Sequence, residues 1–287
     1  VSATVRAIEA GEQRVVLLVV AHADDPALFI GGTVAAWAAA GWRVVVVRAT
    51  DDRRDSVGSD ETSTAVANRV EFERSCDVLG VSEIVELDLP TDTLGDISTV
   101  AVRERIIHAV RTYRPYALVS FDPYAMYGED NLDHLVVARA TDEAFWTSQF
   151  DLHHPEHFDE VSAFTGEPLA PHGCFERWYF GREVVDVTDV IDTSTTLDRK
   201  IEAACCHRTM MRNFLNQLRL QAHTGGWSLP AVEDALATDS VDELLSRLLR
   251  SGASRTGAEY GLAAAEEFRV VTFGGMEGLL AALGHRR

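Results

Sequence analysis

The sequence predicts an α/β fold, a doubly wound and mostly parallel sheet with helices on both faces. Three observations carry that prediction. Short apolar runs alternate with stretches of helical periodicity along the first half of the chain, the order that builds parallel sheets. The first run, residues 14–22, stays apolar without alternating, as a strand covered on both faces requires. Residues 14–22, 33–40 and 43–50 then read as strand, helix and strand, a βαβ unit whose crossover is right-handed in nearly all proteins.

Taken in order, the first strand ends in a histidine and two aspartates, and the helix over 33–40 stops at Gly41. A polar loop fills 51–60. Helical spacing over 65–79 ends at Gly80, a residue suited to the left-handed turn that closes a helix. A strand over 83–89, a helix over 98–113 and a strand over 116–121 repeat the pattern, and Pro115 stands where its missing N–H costs no ladder bond. A helix runs from 133 to about 148. Residues 151–175 are polar, rich in histidine and proline, and longer than the ~12–15 residues of an ordinary structureless loop, so a lid or pocket loop is expected there. Beyond them come a strand over 176–181, a long helix over 195–220, further helix and a final apolar piece at 268–273. No repeat, low-complexity tract or linker divides the chain. A single domain of Rossmann-like topology is therefore expected over 1–287, with a core at about 13–150, the lid at 151–175, and a C-terminal, largely helical elaboration over 176–287.

The 287 residues are 46% hydrophobic and 25% charged, an ordinary balance for a chain with a buried core. No apolar run approaches the ~18 residues of a membrane span, and the first dozen residues lack the basic-then-apolar order of a signal peptide, so a cytoplasmic protein is expected. Cys76, Cys174, Cys205 and Cys206 have no C-x-x-C spacing and fit thiols in a reducing compartment. With 45 acidic against 26 basic residues the net charge is −19, which repels phosphates and argues against nucleic acids and membrane surfaces as partners. Oligomeric state is left open, a homo-oligomer included.

The chemistry concentrates in VVAHADDPALFIGG, residues 19–32. In open α/β sheets ligands bind beyond the carboxyl ends of the strands, where strand order reverses, and this loop follows the first strand. A dinucleotide site would carry G-x-G-x-x-G here; two aspartates would repel a pyrophosphate, which argues against a nicotinamide-dependent oxidoreductase. A divalent cation, by contrast, relieves repulsion between adjacent carboxylates and accepts an imidazole nitrogen. A mixed His/Asp set suits zinc, whose catalytic sites take three protein ligands and keep a position for water. Asn131-Leu132-Asp133-His134 lies at the start of a helix after the strand at 116–121, another loop of the same sheet edge, and offers His134 as the third ligand. Alone, that second cluster reads as a helix cap beside a chance histidine; two clusters at one edge do not.

AHADDP and NLDH together resemble the motifs of the PIG-L/LmbE-like zinc-dependent N-deacetylases, whose first strand ends in A-H-P-D-D-E and whose later loop carries H-P-D-H. Gly31-Gly32-Thr33, Arg48-Ala49-Thr50-Asp51, Leu79-Gly80-Val81, Val185-Asp186-Val187-Thr188 with Lys200 and His207, and Glu266-Glu267-Phe268-Arg269 extend the likeness over nearly the whole chain. The resemblance implies metal ligands at His22, Asp25 and His134, zinc or another first-row divalent metal as cofactor, and Asp24 as the general base toward a metal-activated water. It implies an oxyanion donor at the position of Asn131 and another from a tyrosine, Tyr127 or else Tyr124. Asp133 is implied to orient a histidine rather than to bind the metal. Asp92 and Arg69 fall near family positions that contact sugar hydroxyls or organise the pocket. Arg53 follows the strand at 43–50, where its charge would attract an anionic substituent of the substrate.

Three positions depart from the family motifs: Ala23 replaces proline, Pro26 replaces glutamate, and Asn131 replaces the first histidine of the second motif. Pro26 suits a first helical position but removes a carboxylate expected to support a ligand, so weaker metal binding is expected. Asn131 donates a neutral hydrogen bond yet cannot deliver a proton as an imidazolium does. Either protonated Asp24 performs both tasks or the substrate is unusual. The expected function is a metal-dependent hydrolase that removes an N-acyl group, acetyl foremost, from an amino sugar or related small molecule. The alternative is a non-hydrolytic metal- or ligand-binding relative of the same fold. His153, His154 and His157 are expected to line or cap the mouth of the site, and Lys200 and His207 to serve helix packing.

Overall fold

The computed structural model describes residues 3–11, 14–124 and 128–285. Its first half runs β1 (Thr4–Val5), β2 (Val15–Val20), α1 (Asp25–Ala39), β3 (Arg43–Thr50), α2 (Glu61–Leu79), β4 (Glu83–Leu89), α3 (Thr99–Tyr113), β5 (Ala117–Phe121) and α4 (Leu132–Thr147). There follow β6 (Glu176–Phe180), β7 (Asp189–Asp192), α5 (Leu197–Cys205), α6 (Arg208–Thr224), α7 (Pro230–Thr238), α8 (Val241–Glu259), β8 (Ala265–Thr272) and α9 (Glu277–Leu283). The strands form one sheet in the order β1-β7-β8-β6-β5-β2-β3-β4. From β6 to β4 every pairing is parallel, whereas β8 lies antiparallel between β6 and β7. Strand order reverses at β2, whose neighbours are β3 on one side and β5 on the other. This is the topological switch point, and the loops after β2 and β5 open onto it.

The expected doubly wound α/β architecture is therefore present, and its reason lies in β2. All six residues of VVLLVV are buried, because α1 and α5 pack together while α3 packs against α4 and the strand has a partner on each side. Truncating fully enclosed Leu17 or Leu18 to alanine costs about 2–5 kcal/mol by the usual cavity penalty. The helix after β2 starts earlier than its periodicity predicts, at Asp25 rather than residue 33, since Pro26 already holds the helical φ at a position that needs no amide bond. The chain kinks at Ile30 and passes through Gly32, where a Cβ would lie 2.7 Å from the Thr193 side chain. Glycine is what lets α1 approach that turn so closely.

Three expectations need correction. The long helix over 195–220 is two helices, α5 and α6, broken where His207 takes a non-helical φ −85°, ψ 55°. The apolar piece at 268–273 is the end of β8, and the polar pattern of β7 and the brevity of β1 conceal both of those strands in the sequence. The lid over 151–175 lies elsewhere. Buried Arg111 of α3 gathers the carbonyls of Phe150, His153 and His154 at 2.9, 2.6 and 2.9 Å and reaches His157 Nδ1 at 3.1 Å. The Arg43 guanidinium sits 3.9 Å from the Phe164 ring centre, and His172 Nε2 is 2.8 Å from the Pro115 carbonyl. Arg43 and Pro115 stand at the amino ends of β3 and β5, so the segment wraps α3 and the sheet edge opposite the switch-point loops. The three histidines 153, 154 and 157 thus serve this packing rather than the mouth of the site. Among the described residues no helix is long and apolar enough to cross a membrane.

Candidate active site

The site is built from the carboxyl ends of β2 and β5. Leaving β2, the chain turns at Ala21-His22, and the Asp25 carboxylate folds back so that Oδ2 accepts from the amides of Ala21 (3.0 Å) and His22 (2.8 Å). As the first residue of α1, Asp25 also lies in the field of the helix N-terminus, which favours a carboxylate. His134 arrives from the other side, in the first turn of α4, where Asn131 caps the helix by accepting the Asp133 amide at 2.9 Å. Phe121 stacks on the His134 ring at 4.1 Å and fixes its plane.

His22, Asp25 and His134 converge, all nearly enclosed, with one ligating atom from each within 4.8 Å of the others. His22 Nδ1 is 3.1 Å from His134 Nε2, and His134 Nε2 is 3.3 Å from Asp25 Oδ1. Four ligands at zinc bond lengths stand about 3.3 Å apart around a tetrahedron; these two edges match that spacing, and the third is wider, with His22 Nδ1 3.9 Å from Asp25 Oδ2. The charge balance fits as well. Burial, and then the Asp25 carboxylate, push Asp24 up to about 8. Burial likewise raises Asp55 to about 7, with Asp52 adding to the shift. Burial opposes charge on His134, but Asp25 and Glu129 outweigh it and lift the imidazole to about 9. Acids that resist ionisation beside histidines that retain protons describe a pocket one divalent cation would neutralise.

Asp24 stands beside this group, half-buried, with its side chain free of the capping bond its position invites. Asp133 Oδ2 lies 3.5 Å from His22 Nε2 and accepts the Asp92 amide at 2.7 Å, while Oδ1 accepts the Leu94 amide at 3.2 Å. Asp92 thus meets the site through its backbone, and its side chain is exposed. The two arginines expected at the substrate are bound otherwise. Arg53 donates to Asp51 through Nε (2.6 Å) and Nη2, and Arg69 pairs with Asp88 at 2.6 Å on the outer side of α2. Tyr127 lies outside the described residues. Its alternative, Tyr124, gives its hydroxyl to Asp142 of α4 at 3.0 Å.

Two supports are not foreseen from the sequence. Glu129 Oε2 is 2.8 Å from His134 Nδ1, and Oε1 accepts the Asn131 amide at 2.9 Å. Burial would raise Glu129, but His134 holds it below the usual carboxylate range. The carboxylate missing at Pro26 therefore has a counterpart on the opposite loop. The other support is Arg48, fully buried at the end of β3, which donates to Asp52 at 2.6 Å and to Glu86 at 2.7 and 2.9 Å. Asp52 in turn accepts from the Ala23 amide at 3.1 Å and the Thr50 hydroxyl at 2.7 Å, pinning the loop that carries His22 to Asp25. For Arg48 the available signal is a charge inside an apolar strand; for Glu129 it is only a position two residues before NLDH.

Residues 17–145 match the family model PIG-L, GlcNAc-PI de-N-acetylase. A 1D-myo-inositol 2-acetamido-2-deoxy-alpha-D-glucopyranoside deacetylase of Rhodococcus jostii (strain RHA1) is 26% identical over 69% of this chain and 82% of its own. A diacetylchitobiose deacetylase of Thermococcus kodakarensis is 32% identical over 42% of this chain and 44% of its own. Among solved structures, N,N'-diacetylchitobiose deacetylase from Pyrococcus horikoshii aligns with a TM-score of 0.70 over 94% of this chain and 86% of that one, at 22% identity, a likeness of fold.

Proposed function

We propose that this chain, whose residues 17–145 match the PIG-L family model, hydrolyses the N-acetyl group of an amino sugar with a zinc ion held by His22, Asp25 and His134. The observation that carries the reading is the convergence of those three side chains at the switch point, with the uncommitted Asp24 carboxylate beside them. Two relatives of this chain act, by name, on acetylated amino sugars. Another first-row divalent ion would satisfy the same donors.

Bound there, the metal would polarise the acyl carbonyl and acidify the attacking water. The chain's own residues divide the remaining work. Asp24 takes the proton from water as oxygen bonds to the acyl carbon, and returns it to nitrogen as the C–N bond breaks. Without metal, burial and the Asp25 carboxylate raise Asp24 to about 8; a cation bound beside it would lower that value and leave the carboxylate that the first half of the exchange needs. Asn131 has committed Oδ1 to its helix cap, which leaves Nδ2 to donate to the acyl oxygen. Asp133 and Glu129 hold the far nitrogens of His22 and His134, so both ligating nitrogens face Asp25. The four free thiols, Cys76, Cys174, Cys205 and Cys206, support a reducing cytoplasmic setting.

Metal analysis with an amine-release assay on N-acetylglucosaminides tests this reading. Stoichiometric zinc and free amine are expected. Zinc without amine would favour the non-hydrolytic alternative, and absence of both would overturn the metal centre.

A further inference from the structure

The His134 ring is restrained in two ways, and they have different consequences. Phe121, stacked 15° from parallel at 4.1 Å, holds the plane of the imidazole but offers the same face after a half-turn about the Cβ–Cγ bond. Only a group in the ring plane decides which nitrogen points at Asp25 and His22. That group is Glu129, whose side chain is 9% exposed and whose Oε2 lies 2.8 Å from Nδ1. A carboxylate there requires a proton on Nδ1 and leaves the Nε2 lone pair free toward Asp25 Oδ1, 3.3 Å away.

Glu129 is itself held. It lies in the connection between β5 and α4, and Arg182, two residues after β6, closes over that connection from the neighbouring strand. Arg182 Nη2 is 3.1 Å from Asp130 Oδ1, and its Nε is 4.0 Å from Glu129 Oε2. The guanidinium therefore anchors the loop at Asp130 and places a positive charge beside Glu129, 4.0 Å from the same Oε2 that meets His134.

We infer that Glu129 is the positioning residue that selects the metal-binding nitrogen of His134, and that Arg182 is the clamp that keeps Glu129 there. The inference rests on the reading of His134 as a metal ligand. It assigns to this chain a three-part relay, Arg182 to Glu129 to His134, supplied by the loop after β6, the β5–α4 connection and the first turn of α4. The relay acts on metal affinity and ring orientation, not on the acyl group directly.

The test is zinc affinity, measured by competition with a chromophoric chelator, together with the ring-nitrogen NMR shifts of His134. Glu129→Ala should weaken zinc by about 10–100-fold, the usual cost of losing such a carboxylate. Glu129→Gln keeps the shape and presents an amide oxygen to Nδ1–H, so it should recover part of that loss; it also remains informative if the alanine variant folds poorly. Arg182→Ala should weaken zinc less than Glu129→Ala does, and combining the two should add nothing to Glu129→Ala alone, because the clamp has no other route to the metal. In every zinc-loaded protein that keeps Glu129, the His134 shifts should report a protonated Nδ1. A wild-type protein that binds no zinc would refute the metal centre itself. Wild-type binding with unchanged affinity in Glu129→Ala would overturn only the positioning role, and additive losses in the double variant would overturn the clamp.

Discussion

His207 makes stability depend on pH in a way that can be worked out from its surroundings. Its side chain is fully buried between α5 and α6, and neither ring nitrogen has a hydrogen-bond partner among the described residues. Burial drives its pKa down to about 3, and the Arg48 charge adds to that shift while Asp25 opposes it. In the unfolded chain a histidine titrates near ~6.5. The unfolded state thus takes up a proton that the folded state refuses, so the contribution of His207 is intact above ~6.5 and is lost as pH falls toward 3. Integrated from pH 7 to pH 5, the loss is about 2 kcal/mol, a large share of the roughly 5–15 kcal/mol that stabilises an ordinary domain. His207→Phe keeps a flat ring in the space and removes the titration. Urea unfolding of both proteins at pH 7 and pH 5, with chelator present so that the metal site contributes equally, isolates the effect. The variant should gain about 2 kcal/mol on the wild type between the two pH values. A gain under about 0.5 kcal/mol would mean that the imidazole is solvated or partnered, and the reasoning from burial would fail.

Substitutions at the site should separate ligands from the base. His22→Ala and His134→Ala should each lose the metal by elemental analysis, whereas Asp24→Asn should keep it and lose about 10²–10⁴-fold in turnover because the amide takes no proton. Metal lost with Asp24→Asn would make Asp24 a ligand. Zinc binding should release protons at pH 7.5, since His134, raised to about 9 in the metal-free protein, must give up its proton to bind; calorimetry in two buffers of different ionisation enthalpy counts them, and a count of zero would contradict that assignment. By the same sign, metal-free protein loses the contribution of His134 as pH rises from ~6.5 through 9. Asn131→Asp keeps a capping oxygen and removes the donor, so thermal stability should stay within about 1 kcal/mol of wild type while turnover falls by up to roughly 2.7–4 kcal/mol in barrier terms. Unchanged turnover would place the oxyanion donor elsewhere.

The parts of the fold that depend on local pattern are legible in the amino-acid sequence. Residues 15–20 form a buried central strand because six consecutive apolar side chains have no other stable use, and Gly80 closes α2 with the left-handed φ of 80° that its position suggests. What stays illegible depends on partners distant in sequence. β7, with an aspartate at each end, is a strand because it pairs with β1 and β8. The helical pattern over 195–220 continues through His207, but the polypeptide turns there, and periodicity alone cannot register a break that packing imposes. Residues 151–175 resemble a lid because polar loops of that length often are one; the buried guanidinium of Arg111 is what draws their carbonyls down onto α3 instead.

The same division runs through the site. His22, Asp25 and His134 are readable because strand ends and helix starts are local features and the switch-point rule brings two such loops together. Their supports are not, since the contact from Glu129 to His134 and the one from Arg48 to Asp52 are side-chain choices within loops and strands that admit several. Pro26 illustrates the consequence. Taken alone, the loss of a carboxylate at that position argues for a weakened metal site, yet the electrostatic requirement is for an acceptor on each histidine's far nitrogen, not for an acid at one place in the chain. Asp133 and Glu129 meet that requirement from the opposite loop. A departure from a motif is therefore evidence about function only once the geometry it served has been shown to lack a substitute. At Pro26 the substitute is present. At Asn131, on the function proposed above, the side chain keeps the hydrogen-bonding half of the role and the proton-carrying half falls to Asp24.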